Sequence, residues 1–235
     1  MQNTHFSLII PTYLEAQNLP ELIRRIACMD DGTRMFEVLL MDDDSKDGSM
    51  EIVRELSRDY PWLNMMVHTG KRNHAQAVVS GIQQAKYPVI VIMDADLSHP
   101  PEKIPLLLEA LDEQVDVVLG SRYIKGGSVD SDWPLIRRMT SGIATMMARI
   151  FFYPQVKDPL SGFMAVRKNI LLQGESLTTI GWKINLELMV KSRCKIIREI
   201  PIDFVERTRG KSKLNVWISM QSFYQMMKLV RFKVM

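Results

Sequence analysis

Cysteine is scarce in this sequence: Cys28 and Cys194 are the only two in 235 residues. Both stand in apolar-patterned segments without metal-ligand spacing. That excludes a disulfide framework and a thiolate metal centre, and points to reduced core thiols in a cytoplasmic protein. Long apolar runs are missing as well. No stretch approaches the roughly 20 residues that cross a bilayer, so the chain is expected to be soluble or peripheral. The start, MQNTHFSLIIPTY, has no basic cluster ahead of its short apolar run and is not expected to be a secretory signal. A net charge of +3 is too small to indicate nucleic acid as a partner. Repeats, low-complexity tracts and linkers are absent, and the chain reads as one domain.

What charge there is lies unevenly. MDDDSKD at 41–47 is an acidic knot, whereas Lys191 to Lys213 holds eight lysines and arginines against three acids. The basic segment is either a solvated face or an anion-binding one. The 17 methionines fall mostly in helical patterns and read as core filler rather than a cofactor box.

The first half alternates strand and helix. Apolar strands are predicted at 6–11, 36–42, 64–69, 88–96 and 115–123. Helical periodicity falls at 18–29, 47–60, 74–86 and 101–114, with Asp47 placed to cap the second of these. The second half is less regular: a long helix at 134–153, a turn and strand at 158–168, a helix at 184–193, a strand at 195–206, a basic loop at 207–214 and a helix at 215–235. Strict succession with near-continuous apolar strands implies a mainly parallel sheet covered on both faces. Ligands of such sheets bind beyond the carboxyl ends of the strands. The polar clusters Thr12–Glu15, Asp42–Asp44, Asp94–Asp96 and Ser121–Arg122 fall there.

The stretch VIMDADLSHPPE runs from a buried strand into two carboxylates one residue apart. Adjacent negative charges repel, so something positive is expected between Asp94 and Asp96. Their hard oxygens suit Mg²⁺ or Mn²⁺ shared with a diphosphate. The competing reading is that Ser98 or His99 caps a helix beginning near Pro100, with the aspartates merely solvated.

IIPTYLEAQNLP, LLMDDDSKDGS, VIMDADLSHPPE, VLGSRYIKGG and DPLSGFMAVRK follow one another in that order, each at or near a strand end. The set resembles the inverting glycosyltransferases of family 2, and within them the synthases of dolichol- and polyprenol-phosphate mannose. The resemblance covers about residues 6–214. It implies a GT-A-type α/β fold, a Rossmann-like, mainly parallel sheet flanked by helices in a single domain over 1–214; by its own pattern 215–235 reads as a C-terminal amphipathic helix.

The resemblance also implies roles. Pro11, Tyr13 and Glu15 would hold the base and ribose of a nucleotide sugar, with Leu14 standing where Asn is more usual. Asp43 would contact the nucleoside, with Met41 nearby by its backbone and Asp47 kept as a turn and cap residue. Asp94 and Asp96 match the metal and diphosphate pair, and Ala95 lies close to the nucleotide. Ser98, where some relatives carry a glutamine able to approach the metal, completes the expected metal set. Arg122, Arg137 and Ser141 match positions that bind the acceptor's phosphate; Arg137 and Ser141, four residues apart, share a helix face. Arg209 and Lys213 match a loop that closes over the donor diphosphate. Asp96, Arg122 and Arg137 are thus the expected catalytic residues.

A phosphate monoester acceptor is already an anionic nucleophile at neutral pH, so none of His74, His99 and Asp158 is expected to act as a base. The protein's task is to bring two anions together and stabilise the departing nucleoside diphosphate. The expected reaction moves a hexose, with mannose from GDP-mannose the best single choice, to a polyprenyl or dolichyl phosphate with inversion. A UDP-sugar donor with the same acceptor, or a non-catalytic nucleotide-sugar-binding module, are the alternatives. A polyprenyl tail requires a bilayer surface, so peripheral attachment at the cytoplasmic face is expected. Helix 134–153 and the C-terminal helix could both touch it. The latter, with a polar stripe of Gln221, Gln225 and Lys228, either lies in the headgroup plane or packs against the sheet.

Overall fold

The computed structural model describes residues 4–70, 72–130, 135–172, 177, 183–205 and 224–232, with the side chains of 135–138 and 172 left aside. Seven strands form one sheet: β1 (Phe6–Thr12), β2 (Phe36–Asp42), β3 (Leu63–Val67), β4 (Val89–Ile92), β5 (Val117–Ser121), β7 (Met164–Arg167) and β8 (Ile197–Pro201). Their order is β3-β2-β1-β4-β7-β5-β8. All neighbouring pairs are parallel except those of β7, which runs antiparallel between β4 and β5. A second ribbon pairs β6 (Ser128–Val129) with β9 (Asp203–Phe204). The sequence expectation of a single-domain, mainly parallel sheet flanked by helices holds.

Alternate residues of each strand face opposite sides. Leu8, Ile10, Leu40 and Val91 pack under α1 (Leu19–Cys28), α2 (Ser49–Asp59) and α4 (Ile104–Ala110). Ile9, Leu39, Ile90 and Leu119 pack under α3 (His74–Gln84), α5 (Leu135–Phe151), α7 (Ile184–Lys191) and the helix at 224–232. Burial on both faces is why the central strands read as continuous apolar runs. The short α6 (Lys168–Leu172) follows β7.

Two elements differ from expectation. The helix predicted over 101–114 splits into a 3₁₀ turn, Pro101–Lys103, and α4. Pro105 has no N–H to extend a regular ladder across the join. Past α4, Asp112 closes a turn by accepting from the Gln114 and Val115 amides. The strand predicted over 195–206 breaks at Pro201, after which the Ile202 amide bonds Ser121 O and its carbonyl accepts from Ser128, carrying the chain into the second ribbon.

The topology positions the site in two ways. The chain leaves β1 outward through β2 and β3, then returns to place β4 on the other side of β1. This is the switch point at which open α/β sheets form a crevice. The antiparallel course of β7 does the rest. Its first residue, Met164, pairs with Ile92 and Leu119 near the carboxyl ends of β4 and β5. Loop 158–163, which precedes β7, therefore lies on the same edge as the loops that follow the parallel strands.

Candidate active site

The loops after β1 and β2 are tied to each other before any ligand arrives. The buried Asp42 accepts from the Ser45 amide and hydroxyl, both at 2.7 Å. Ser45 Oγ in turn accepts from the Leu14 amide at 2.8 Å. Burial raises the Asp42 pKa, opposed by the two bonds from Ser45. Asp47 accepts from the Ala16 amide through one oxygen and from Ser49 N and Oγ through the other. Its expected place in the cap of α2 is one residue early: Gly48, in the left-handed conformation, is the N-cap. Asp42 and Asp47 hold the loop in shape, and Asp43 is left facing the segment before α3, where its Oδ2 accepts from the Asn73 amide.

On that framework Tyr13 lies under the Arg72 guanidinium, 4.1 Å from ring centroid to Cζ. Glu15, nearly buried, accepts from Asn18 Nδ2 at 2.6 Å. Pro11 is the half-buried residue of β1, just before the buried Thr12, and the Met41 side chain points away from the loops into the packing against Gly81 of α3. Leu14, Asp44 and Leu97 all take positive φ, between 56° and 64°. They occupy the loops after β1, β2 and β4, so backbone strain is concentrated along the crevice.

After β4, Ala95 and Asp96 are buried while the Asp94 side chain is about one third exposed (37%). Asp96 Oδ1 accepts from the Ser98 amide and hydroxyl, the latter at 2.5 Å. Ser98, expected as a metal ligand or a helix cap, thus gives its proton to Asp96, and no side chain caps the turn that begins at Pro101. His99 accepts from the Asp94 amide through Nδ1 at 3.2 Å. Burial pushes the His99 pKa down against the pull of Asp94 and Asp96, which keeps the imidazole neutral with Nδ1 as the acceptor. The ring is wedged between Phe163 and Phe204. His74, at the start of α3, is likewise held neutral by burial, in the field of Asp94 and Asp43.

Across the crevice Asp158, fully buried, accepts from Arg122 N at 3.1 Å and from Nε and one terminal nitrogen at 2.8 Å each. Asp158 is itself fixed by β8: the Glu199 carboxylate accepts from the Lys157 and Asp158 amides, both at 2.8 Å. Gly162 of the same loop stands against the metal-type carboxylate. A Cβ there would meet His99 Cε1 at 3.0 Å and Asp94 Oδ2 at 3.2 Å.

Of the expected residues, Pro11, Tyr13, Glu15, Asp43, Asp94, Ala95, Asp96, Ser98 and Arg122 come to this one edge of the sheet. Ser141 is half-buried on α5, and Arg137 lies in the first turn of that helix with its side chain outside the described residues. Arg209 and Lys213 lie outside the described residues. Asp158 and Glu199 as the fixtures of Arg122, and Arg72 over Tyr13, were not foreseen. The DPLSG stretch marks the first; the other two carry no local signal.

Among the described residues no group of three His, Cys, Asp or Glu could hold a metal ion. The carboxylates of Asp94 and Asp96, one residue apart, nonetheless fit Mg²⁺ or Mn²⁺, which keep water and take substrate phosphate oxygens as their remaining ligands.

The fold is that of the GT-A class. Within that class the chain belongs to glycosyl transferase family 2, whose family model matches residues 7–174. It is 41% identical over 227 residues to a dolichol-phosphate mannosyltransferase of Pyrococcus furiosus, covering 94% of this chain and 63% of that protein. It is 36% identical over 237 residues to the dolichol-phosphate mannosyltransferase of Saccharomyces cerevisiae, covering 97% and 88%. The chain thus spans less than two thirds of the Pyrococcus protein and most of the yeast one. Among solved structures, a mannosyltransferase from Pyrobaculum calidifontis in complex with GDP-Man and Mn²⁺ shares the fold at a TM-score of 0.68 and 19% identity, over 95% of this chain and 64% of that one.

Proposed function

We propose that this chain transfers mannose from GDP-mannose to the phosphate of a polyprenyl or dolichyl phosphate, with inversion at the anomeric carbon. The observation that carries the reading is how the acceptor side is built. Asp158 accepts three N–H bonds from Arg122, and His99 accepts the Asp94 amide. Neither is placed to take a proton from a neutral hydroxyl. An acceptor that arrives as an oxyanion needs no such base. One of its oxygens forms the bond to C1 as the bond from C1 to the diphosphate oxygen breaks, and the electron pair leaves with GDP.

Pro11, Tyr13, Glu15, Asp43, Ala95 and the Met41 backbone hold the nucleoside, with Arg209 and Lys213 closing on the diphosphate. Asp94 and Asp96 would hold Mg²⁺ or Mn²⁺, with Ser98 orienting Asp96; the ion supplies positive charge to the departing diphosphate. Arg122, Arg137 and Ser141 receive the acceptor's phosphate.

No helix among the described residues is long and apolar enough to cross a membrane. Helix α5, however, exposes Met139, Ile143, Met146 and Ile150 at helical spacing, each more than half accessible. We read this stripe as the face that meets the bilayer at its cytoplasmic side. The C-terminal helix contributes less than its composition implied. Gln225, expected on its polar stripe, is buried and donates to Glu187 at 2.9 Å, so this face packs against α7 while Tyr224 and Met227 stay exposed.

Radiolabel transfer into a lipid phase tests the reading, with Mg²⁺ or Mn²⁺, a polyprenyl phosphate and either GDP-mannose or a panel of UDP-sugars. Label from GDP-mannose, absent in Asp96→Ala, is the expected result. Label from a UDP-sugar alone would replace the donor. Nucleotide binding without transfer from any donor would make the chain a binding module.

A further inference from the structure

One cation of the crevice has no role in the reaction as drawn above. Lys183 immediately precedes α7, and its carbonyl accepts the Glu187 amide of the helix's first turn. Two residues on, Asn185 donates Nδ2 to the Ser161 carbonyl at 3.1 Å. That bond stitches the start of α7 to loop 158–163, the loop that holds Arg122 through Asp158 and backs Asp94 through Gly162.

The charges around the Lys183 ammonium are Arg122, Asp158 and Asp94. Desolvation lowers its pKa, Arg122 lowers it further, and the two aspartates oppose them. Yet its ammonium makes no hydrogen bond or ion pair among the described residues. Asp158 is committed to three donors of Arg122 and has little to offer a fourth. An ammonium drawn partly out of water gains from an anion placed beside it. The balance across the site is equally telling. Arg122 and Asp158 cancel each other, so the pair presents geometry but little net charge. Lys183 adds a positive charge beside the pair, in the field of Asp94.

We propose that Lys183 is an acceptor-binding residue, its ammonium pairing with the phosphate monoester that Arg122 orients. This rests on the phosphate-acceptor reading above. It divides the labour among the acceptor-side cations: Arg122, locked by Asp158, sets the direction of the phosphate, and Lys183 joins Arg137 in supplying the charge that holds it.

Steady-state transfer by the full chain with Lys183→Met and Lys183→Arg tests this, varying polyprenyl phosphate and GDP-mannose in turn. The expected result for Lys183→Met is a KM for polyprenyl phosphate raised by roughly 10- to 100-fold, the size of one charge-assisted contact. The KM for GDP-mannose and the affinity for GDP with Mn²⁺ should change by less than about 2-fold, and Lys183→Arg should recover much of the loss. The ligand-free Lys183→Met protein should melt no lower than wild type, because the ammonium has no partner among the described residues to lose; a structural lysine would lower the melting temperature. A raised KM for GDP-mannose with an unchanged acceptor KM would overturn the proposal and place the ammonium on the donor diphosphate. Wild-type kinetics in Lys183→Met would overturn it while leaving the acceptor reading intact. Wild-type protein inactive toward every polyprenyl phosphate would overturn both.

Discussion

Asp158→Asn is the most incisive perturbation of this site, because it is nearly isosteric and changes only what the Arg122 pocket can accept. The carboxylate receives three N–H bonds from Arg122 and is fully buried, while the arginine side chain is only 10% exposed. An amide at 158 keeps one acceptor oxygen and turns an NH₂ group toward donors it cannot satisfy. It also leaves the guanidinium charge unpaired away from water. Breaking a buried pair from one side costs about 3–5 kcal/mol. In a chain of this length each kcal/mol moves the melting temperature by about 2–4 °C, so a fall of roughly 6–20 °C follows. Urea melts of wild type, Asp158→Asn, Arg122→Met and the double variant give the measurement. The double variant should lose less than the sum of the singles, with a coupling of about 1–3 kcal/mol. Additive losses, or an Asp158→Asn protein within about 1 kcal/mol of wild type, would refute the view that Asp158 exists to hold Arg122.

Three further outcomes follow from the geometry. Gly162→Ala puts a methyl group 3.2 Å from Asp94 Oδ2 and 3.0 Å from His99, and it should weaken Mn²⁺ binding in the presence of GDP by about 10-fold or more; unchanged Mn²⁺ affinity by calorimetry would mean Asp94 does not ligate. Leu14, 48% exposed at a φ of 56°, carries a conformation that asparagine tolerates better, so Leu14→Asn should stabilise the fold by about 1 kcal/mol or less. Burial lowers the pKa of both His74 and His99. The unfolded chain therefore binds more protons than the native one below its own histidine pKa, and their contribution to stability, complete above about pH 6.5, falls as pH drops further, by up to about 1.4 kcal/mol per pH unit for each histidine. A stability flat between pH 7 and 5.5 would count against both assignments.

The sequence announces what is local. Apolar runs of four to seven residues became β1, β2 and β4, and the polar clusters that close them became the loops proposed to hold the nucleotide. Asp47 could be read as a turn and cap residue because it works within a few residues of Ser49 and against the loop after β1. Even Leu14, where asparagine is more usual, fits this pattern: its positive φ is a local property of the loop.

What the sequence does not announce is direction. The stretch 158–168 reads as a turn and a strand, but its composition is silent on which way the strand runs. Had β7 run parallel to β4, its start would lie at the opposite edge of the sheet, and Asp158 and Gly162 with it. Antiparallel pairing, Ile92 with Met164, brings that loop to the carboxyl edge instead. Arg122 then meets a carboxylate 36 residues away, and Glu199, 41 residues from Asp158, fixes that carboxylate from β8. No periodicity or local propensity encodes such a chain of contacts. Arg122 could therefore be read from its motif as a lone phosphate-binding cation, whereas in the fold it is half of a neutral pair. The reversal of one strand changes how the site is read: with Arg122 paired to Asp158, an anionic acceptor as proposed would draw its charge from other cations of the same edge, which is the place proposed for Lys183 ahead of α7.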